Sequence, residues 1–442
     1  MNEVPRSAIG RTARLAALPV TFGARTAWGI GRRLGGRSAE VVAAEVQART
    51  AEQLFKVLGE LKGGAMKFGQ MLSVFEAGLP EELMAPYRAT LTKLQDAAPP
   101  LPAATVHKVL AEQLGVRWRR QFREFDDRPT AAASIGQVHR ATWKDGRDVA
   151  VKVQYPGAGD ALISDLNQLS RAARVGTAWI PGLEIGPILT ELKQRMVEEL
   201  DYTAEATWQQ TFHEAFVDVE EFAVPAVVRS TERVIVSEWL EGTALSKLIA
   251  DGTQEERDRA ARRYLEFLFL GPARAGLLHA DPHPGNFRLT PDGRLGVLDF
   301  GAVKQLPEGM PPEIGRLLVL ALSGDAQGVV DGLREEGFIR TSIDIDPDGL
   351  LAYLEPFLAP AQQETFTFSR SWMQALFQHI NDPRRPQWSM GMKLNLPPEY
   401  LLIHRVWLGG IGVLCQLGGE IPVLEVLDEH LPEFSRDELP SG

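Results

Sequence analysis

Asp281 and Asp299 stand eighteen residues apart, and the chain between them reads as a β-hairpin. Strand-forming residues from Phe287 to Leu298 flank the turn Pro291-Asp292-Gly293, whose residues preset or tolerate the backbone angles a turn requires. A hairpin of this length returns its second end to the side of its first. The fold must therefore build a small sheet here and set two carboxylates at one edge of it. The first carboxylate belongs to His279-Ala280-Asp281-Pro282-His283-Pro284-Gly285-Asn286, and the second opens Asp299-Phe300-Gly301. An Asp followed five residues later by Asn, and then by Asp-Phe-Gly, has the spacing of a phosphotransferase catalytic loop and its magnesium triplet. Asp281 can accept a proton from an attacking group or orient it. Asn286, through its amide oxygen, and Asp299 are hard oxygen ligands suited to Mg²⁺. A Pro-Gly turn or a strand-ending turn explains either motif alone, but not both in this order.

A second hairpin lies upstream, with Val138–Trp143 and Asp148–Gln154 joined through Lys144-Asp145-Gly146. Its second strand carries Val149-Ala150-Val151-Lys152. A lysine flanked by apolar neighbours needs an anionic partner, because an unpaired buried ammonium is costly. Nucleotide phosphates and a helix glutamate would supply one. Before the hairpin runs Ala131-Ala132-Ala133-Ser134-Ile135-Gly136-Gln137-Val138-His139. Alanine resists the positive φ angles that glycine accepts, so this stretch should be stiffer than a glycine-rich phosphate loop. Around these elements the reading is helical from Glu40 to Leu94, with a break at Gly63-Gly64, then a linker from Ala97 to Pro102 and a short helix from Ala103 to Gln113. A single long helix is expected over Ile188 to Phe216, strands from Phe222 to Trp239, and mostly helix beyond Thr253.

Taken together, these residues resemble the UbiB family of atypical kinases, also called AarF or ADCK proteins. Four features carry the resemblance, strongly over Lys62 to Gln305: the alanine-rich stretch Ala131–Val138, Lys67-Phe68-Gly69-Gln70 as a K-x-G-Q motif, Glu199-Leu200-Asp201 as an E-x-D motif, and the set Lys152, Glu205, Asp281, Asn286 and Asp299. The resemblance implies an α+β, protein-kinase-like two-lobed fold, with an N-terminal helical extension over the cleft and a mostly helical C-terminal lobe. It implies that Lys152 and Glu205 position ATP or ADP, that Asp281 is the catalytic aspartate, and that Asn286 and Asp299 hold Mg²⁺. Ala131, Ala132, Ala133, Ser134, Ile135, Gly136, Val138, Glu238 and Leu240 would contact the nucleotide. Lys67 and Gln70 would form a lid that meets Glu199 or Asp201. Helical periodicity instead groups Glu198 with Asp201 and Glu205 and sets Glu199 about 100° away, so the lid partner stays open between Glu198 and Glu199. The implied activity is ATP binding and hydrolysis tied to isoprenoid quinone or other lipid metabolism. Two departures from ordinary protein kinases disfavour peptide substrates: no Ala-Pro-Glu platform follows Gly301, and Ala280 stands where an arginine would read a phosphorylated activation loop.

At 442 residues the expected division is a basic segment 1–39, an extension 40–120, an N-lobe 121–241 and a C-lobe 242–442. The net charge is -11, yet residues 4–39 hold seven arginines and no acid. That segment is either a solvated tail or an amphipathic anchor for an anionic membrane surface; the acidic remainder argues against general nucleic-acid binding. The single cysteine, Cys415, fits a reducing compartment. No secretory signal is read, and Tyr400 to Leu424 reads as buried helix and loop. The expected place is the cytoplasm, with peripheral attachment to the inner face of a membrane as the sharper reading of the tail. A homodimer or a biosynthetic complex stays open. His139 and His283 have no Cys/His partners at zinc spacing, and His283 reads as a brace for its loop. A small-molecule phosphotransferase, which shares the His-x-Asp loop, and a nucleotide-gated scaffold are the competing functions.

Overall fold

The computed structural model describes residues 101–133, 135–157, 159, 200–381 and 386–440. The expected segment 1–39, the helix over 40–94, Lys67, Gln70, Ser134 and Glu199 lie outside them. The described chain falls into two compact units, residues 101–202 with 230–236 and residues 203–229 with 237–440.

In the first unit, α1 (Ala103–Leu114) follows Pro102 and buries Val106, Val109, Leu110 and Leu114, the three-and-four spacing of a single apolar stripe. Strands β1 (Phe122–Phe125), β2 (Ala131–Ala133), β3 (Gly136–Trp143) and β4 (Asp148–Gln154) follow. β3 pairs antiparallel with β1, β2 and β4. Gly146, at φ 104°, makes the β3–β4 turn, a conformation that favours glycine. Val149, Val151 and Val153 are fully buried. The alternation of a strand therefore sends Ala150 and Lys152 to the opposite face, where Lys152 stands opposite Val138. Ala131–Ala133 is thus a strand and not an open loop: alanine at these three positions serves a ladder, with Ala133 paired to Gly136.

The expected helix over Ile188 to Phe216 is corrected by the structure. Leu200 is in a turn, Asp201 is exposed and not helical, and α2 begins at Tyr202 and runs to Phe216. A face shared by Glu198, Asp201 and Glu205 on one continuous helix therefore does not exist. The composition across the break is helix-compatible, so periodicity alone did not show it.

β5 (Phe222–Ala223) begins the second unit, β6 (Val227–Ser230) follows, β7 (Val234–Glu238) joins the sheet of the first unit beside β4, and β8 (Thr243–Ala244) leads into α3 (Leu245–Asp251) and α4 (Gln254–Leu270) of the second unit. Thr253 and Glu256 close α4 with a reciprocal capping box. Then come β9 (Leu277–His279), β10 (Phe287–Leu289), β11 (Leu295–Val297) and β12 (Val303–Gln305). The β10–β11 hairpin is the centre of a sheet ordered β5-β11-β10-β8, and β12 pairs with β9. The β9–β12 ladder was not legible in the sequence, because three-residue strands carry too little alternation to read. Helices α5 (Pro312–Leu322), α6 (Ala326–Glu335), α7 (Pro347–Leu358), α8 (Arg370–Asn381), α9 (Pro386–Gly391), α10 (Pro398–Leu417) and α11 (Val423–His430) complete the unit. A core of Phe212, Phe216, Phe222, Phe267, Phe287 and Phe300 joins α2, α4 and the hairpin. Among the described residues α10 is the one helix long and apolar enough to cross a membrane. It buries Ile403, Val406, Val413 and Leu414 in this core and packs on α4.

Candidate functional site

The hairpin brings Asp281, Asn286 and Asp299 to one place within the second unit. Phe287 pairs with Val297 at the hairpin's open end, and the Leu298 amide donates to the Asn286 carbonyl at 2.9 Å. Residues 286 and 298 are thereby fixed side by side, with Asp299 next along the chain. Asn286 Nδ2 donates to the Asp281 carbonyl at 3.2 Å. That bond joins the two halves of the loop and engages the amide nitrogen, so the amide oxygen is the atom Asn286 could offer to a cation. Asp281 itself is only 8% exposed.

Three supports hold this loop, and one of them, Tyr264, lies outside the motif. His283 Nδ1 accepts from the Gly285 amide at 3.1 Å, so His283 braces the turn Pro284–Asn286 as expected. His279 Nε2 donates to the Asp299 carbonyl, which couples β9 to the Asp-Phe-Gly triplet. Tyr264, fully buried on α4, donates its hydroxyl to the Pro282 carbonyl at 3.2 Å. Burial and the nearby Asp281 carboxylate push the Tyr264 pKa well above its ordinary value, so it stays a neutral donor. Phe300 is fully buried between Phe212, at 5.1 Å, and His279, at 5.6 Å. His279 and Tyr264 were not given roles from sequence because they act across tertiary contacts; the one available hint was a histidine two residues before Asp281.

The donor set is all oxygen: the Asn286 amide and the Asp299 carboxylate, one oxygen of which also accepts from the Gly301 amide at 2.9 Å. Such a set fits Mg²⁺, which takes few protein ligands and completes its shell with water and phosphate. After Gly301 the chain does not open into a loop. Val303–Gln305 pairs back onto Leu277–His279, and α5 begins at Pro312.

Other expected site residues take these places. Glu205 lies in the first turn of α2 and is 3% exposed. Leu240 rests against Gly296, where a side chain on residue 296 would collide with it. Glu238 donates its amide to the Ala226 carbonyl at 3.0 Å. Both Glu238 and Leu240 border a cavity of about 640 Å³ whose walls include Phe216, Glu220, Trp239 and Arg294. Lys152, in the first unit, has its ammonium 5.1 Å from the centre of the Tyr202 ring, within cation–π reach. On the same face, Gln154 Nε2 donates to the Leu200 carbonyl at 3.0 Å, so the chain just before α2, with Asp201, lies along the strand of Lys152. A Cβ on Gly136 would meet the Val153 carbonyl at 2.5 Å and the Tyr202 hydroxyl at 2.7 Å. Only glycine fits there.

A kinase-type loop and an Asp-Phe-Gly triplet on a kinase-like fold define the class, and comparison with known proteins places the chain within it. The chain belongs to the ABC1 atypical kinase-like family: the model of the ABC1 atypical kinase-like domain matches residues 93–333. It is 28% identical over 446 residues to the mitochondrial atypical kinase COQ8 of Saccharomyces cerevisiae, covering 97% of this chain and 85% of that protein. To the mitochondrial atypical kinase coq-8 of Caenorhabditis elegans it is 31% identical over 355 residues, covering 76% of this chain but only 46% of the relative's length. Among solved structures, the complex of Rv3197 with erythromycin from Mycobacterium tuberculosis is similar, with a TM-score of 0.69 and 41% identity over 90% of this chain and 100% of that one. The UbiB-type resemblance read from the motifs agrees with these matches, as does the kinase-like fold.

Proposed function

We propose that this chain binds ATP or ADP with Mg²⁺ and acts as an atypical kinase or ATPase of the UbiB type, serving quinone or other lipid metabolism and not phosphorylating proteins in trans. The observation that carries the reading is the grouping of Asp281, Asn286 and Asp299 at the end of the β10–β11 hairpin. Asn286 and Asp299 would hold the Mg²⁺, whose charge offsets that of the phosphates. Asp281, in a loop tied by Asn286 at its own carbonyl and by Tyr264 at the Pro282 carbonyl, would orient the attacking hydroxyl or water and take its proton. Lys152 and Glu205 would position the phosphates. The β2–β3 hairpin, Ala131 to Val138, would cover them, and Glu238 and Leu240 would border the base. Lys67 and Gln70, with Glu199 or Asp201, would form the lid. The return of Val303–Gln305 to β9 supports the reading against peptide substrates, because it removes the open segment on which a kinase seats a peptide.

Nucleotide turnover by the purified chain tests the proposal, measured with and without anionic vesicles and a quinone-headgroup phenol, with a search for phosphorylated products. Turnover stimulated by the lipid or phenol is expected. A phosphorylated small molecule would favour the phosphotransferase alternative, and nucleotide binding with no turnover would favour the scaffold.

A second reading has its own observation. The Mycobacterium tuberculosis structure is a complex with erythromycin, and the present chain matches it at 41% identity. On that reading this chain also binds a macrolide, and the cavity of about 640 Å³ beside Glu238 and Leu240 lies in the size range of small-molecule sites. Calorimetric titration with erythromycin separates the two: heat of binding supports a macrolide site, and none removes it.

A further inference from the structure

β3 has two faces. Gly136 and Val138 share one of them with Lys152, while Gln137 and His139 point to the other, where they are 1% and 0% exposed. A buried polar pair in a strand is tolerable only when its donors and acceptors are matched, and here they form one continuous chain. The Leu101 amide donates to Gln137 Oε1 at 2.7 Å, Gln137 Nε2 meets His139 Nε2 at 2.9 Å, and His139 Nδ1 meets the Asp126 carbonyl at 2.8 Å.

The directions follow from the ends. A backbone N–H can only donate, so the Gln137 oxygen accepts and its NH₂ group donates onward. His139 Nε2 must then offer a lone pair, and the ring proton sits on Nδ1, which donates to a carbonyl that can only accept. The neutral ring this requires is also the form that burial favours. Phe125 stacks on the ring at 5.1 Å.

Both ends are anchored. Leu101 adjoins Pro102, the residue that starts α1. Asp126 donates its amide to the Arg140 carbonyl at 3.0 Å, and the Thr130 amide, immediately before β2, donates to the Val138 carbonyl at 2.8 Å. Asp127, next to Asp126, pairs with His107 of α1 at 2.6 Å and with Arg119 at 3.5 Å. The relay thus grips β3 from behind and holds the loop that feeds β2.

We propose that Gln137 and His139 are positioning residues for the β2–β3 hairpin: they hold the height of Gly136 and Val138 from behind, and so the grip of that hairpin on nucleotide phosphates. The proposal rests on the reading of the hairpin as a nucleotide contact. The backbone ladders to β1, β2 and β4 set the register of β3, and the three side-chain hydrogen bonds add directional ties from its rear face to the start of α1 and to the loop before β2, which apolar packing does not supply.

The test uses the full chain with Gln137→Leu, His139→Leu and His139→Asn. Magnesium-ATP affinity, KM, kcat, thermal midpoint and amide exchange of residues 131–138 are measured below the melting range. Gln137→Leu and His139→Leu are expected to raise Kd and KM for ATP about five- to tenfold, the loss of roughly one net hydrogen bond, with little change in kcat and faster exchange in the hairpin. His139→Asn keeps a donor for the Asp126 carbonyl and is expected to restore part of the affinity. Variants that fold and melt lower, yet bind ATP as the parent does with unchanged exchange, overturn the positioning role. Absence of ATP binding by the parent chain would overturn the nucleotide reading beneath it. Should Gln137→Leu not fold, His139→Asn against His139→Leu decides the question alone.

Discussion

At Asn286 the proposed function asks two things of one side chain. Its nitrogen donates to the Asp281 carbonyl at 3.2 Å, which leaves its oxygen for a cation. Asn286→Asp separates these roles: it keeps an oxygen ligand but loses the donor and faces a carbonyl with a carboxylate. Magnesium-dependent nucleotide binding should survive, while turnover falls by tenfold or more, about 1.4 kcal/mol in the barrier. Equal loss of binding and turnover would mean the Asp281 tie carries nothing of its own. Asp281, Asn286 and Asp299 were legible in the sequence because their grouping follows from covalent spacing and one turn. Tyr264 was not: it reaches Pro282 from the preceding helix, eighteen residues upstream, and no local pattern marks a tyrosine on an apolar helix face as the support of a carbonyl in the next loop.

The elements were legible where a period repeats for long enough. The short helix α1, the β3–β4 hairpin with its Gly146 turn and the β10–β11 hairpin were all expected and are all present. The break at Leu200 and Asp201 was not, because residues on both sides favour helix. The alanine stretch was expected as a stiff loop and is a paired strand, β2. Its partner β3 begins at Gly136, which supplies a prediction. A methyl at 136 would press on the Val153 carbonyl at 2.5 Å, and backbone cannot turn aside as a side-chain tip can. Gly136→Ala should cost about 1–3 kcal/mol of stability and weaken nucleotide binding, read by denaturant melts and titration. An unchanged midpoint would show that the hairpin relaxes freely.

Across the whole molecule, the kinase-like fold and the family were legible from four motifs and their order, and the family match over residues 93–333 agrees. The apolar helix α10 shows why hydropathy alone misleads: it has the length and composition of a span, yet Ile403, Val406, Val413 and Leu414 are spent on the core of the second unit. Charge points elsewhere for membrane attachment. With seven arginines and no acid between residues 4 and 39, removal of residues 1–39 should weaken binding to anionic vesicles, and the attachment of the full chain should fade as salt screens it. Sedimentation with vesicles at low and high salt checks this; equal binding by both forms would place the anchor in the remainder of the chain.

The central claim is a magnesium-dependent nucleotide site built on Asp281, Asn286 and Asp299. The direct measurement is calorimetric titration of ATP into the full chain and into Asp299→Asn, each with Mg²⁺ and with the metal chelated. Chelation is expected to weaken ATP binding to the parent at least tenfold and scarcely to alter binding to Asp299→Asn. ATP affinity of the parent that is indifferent to magnesium would contradict the claim.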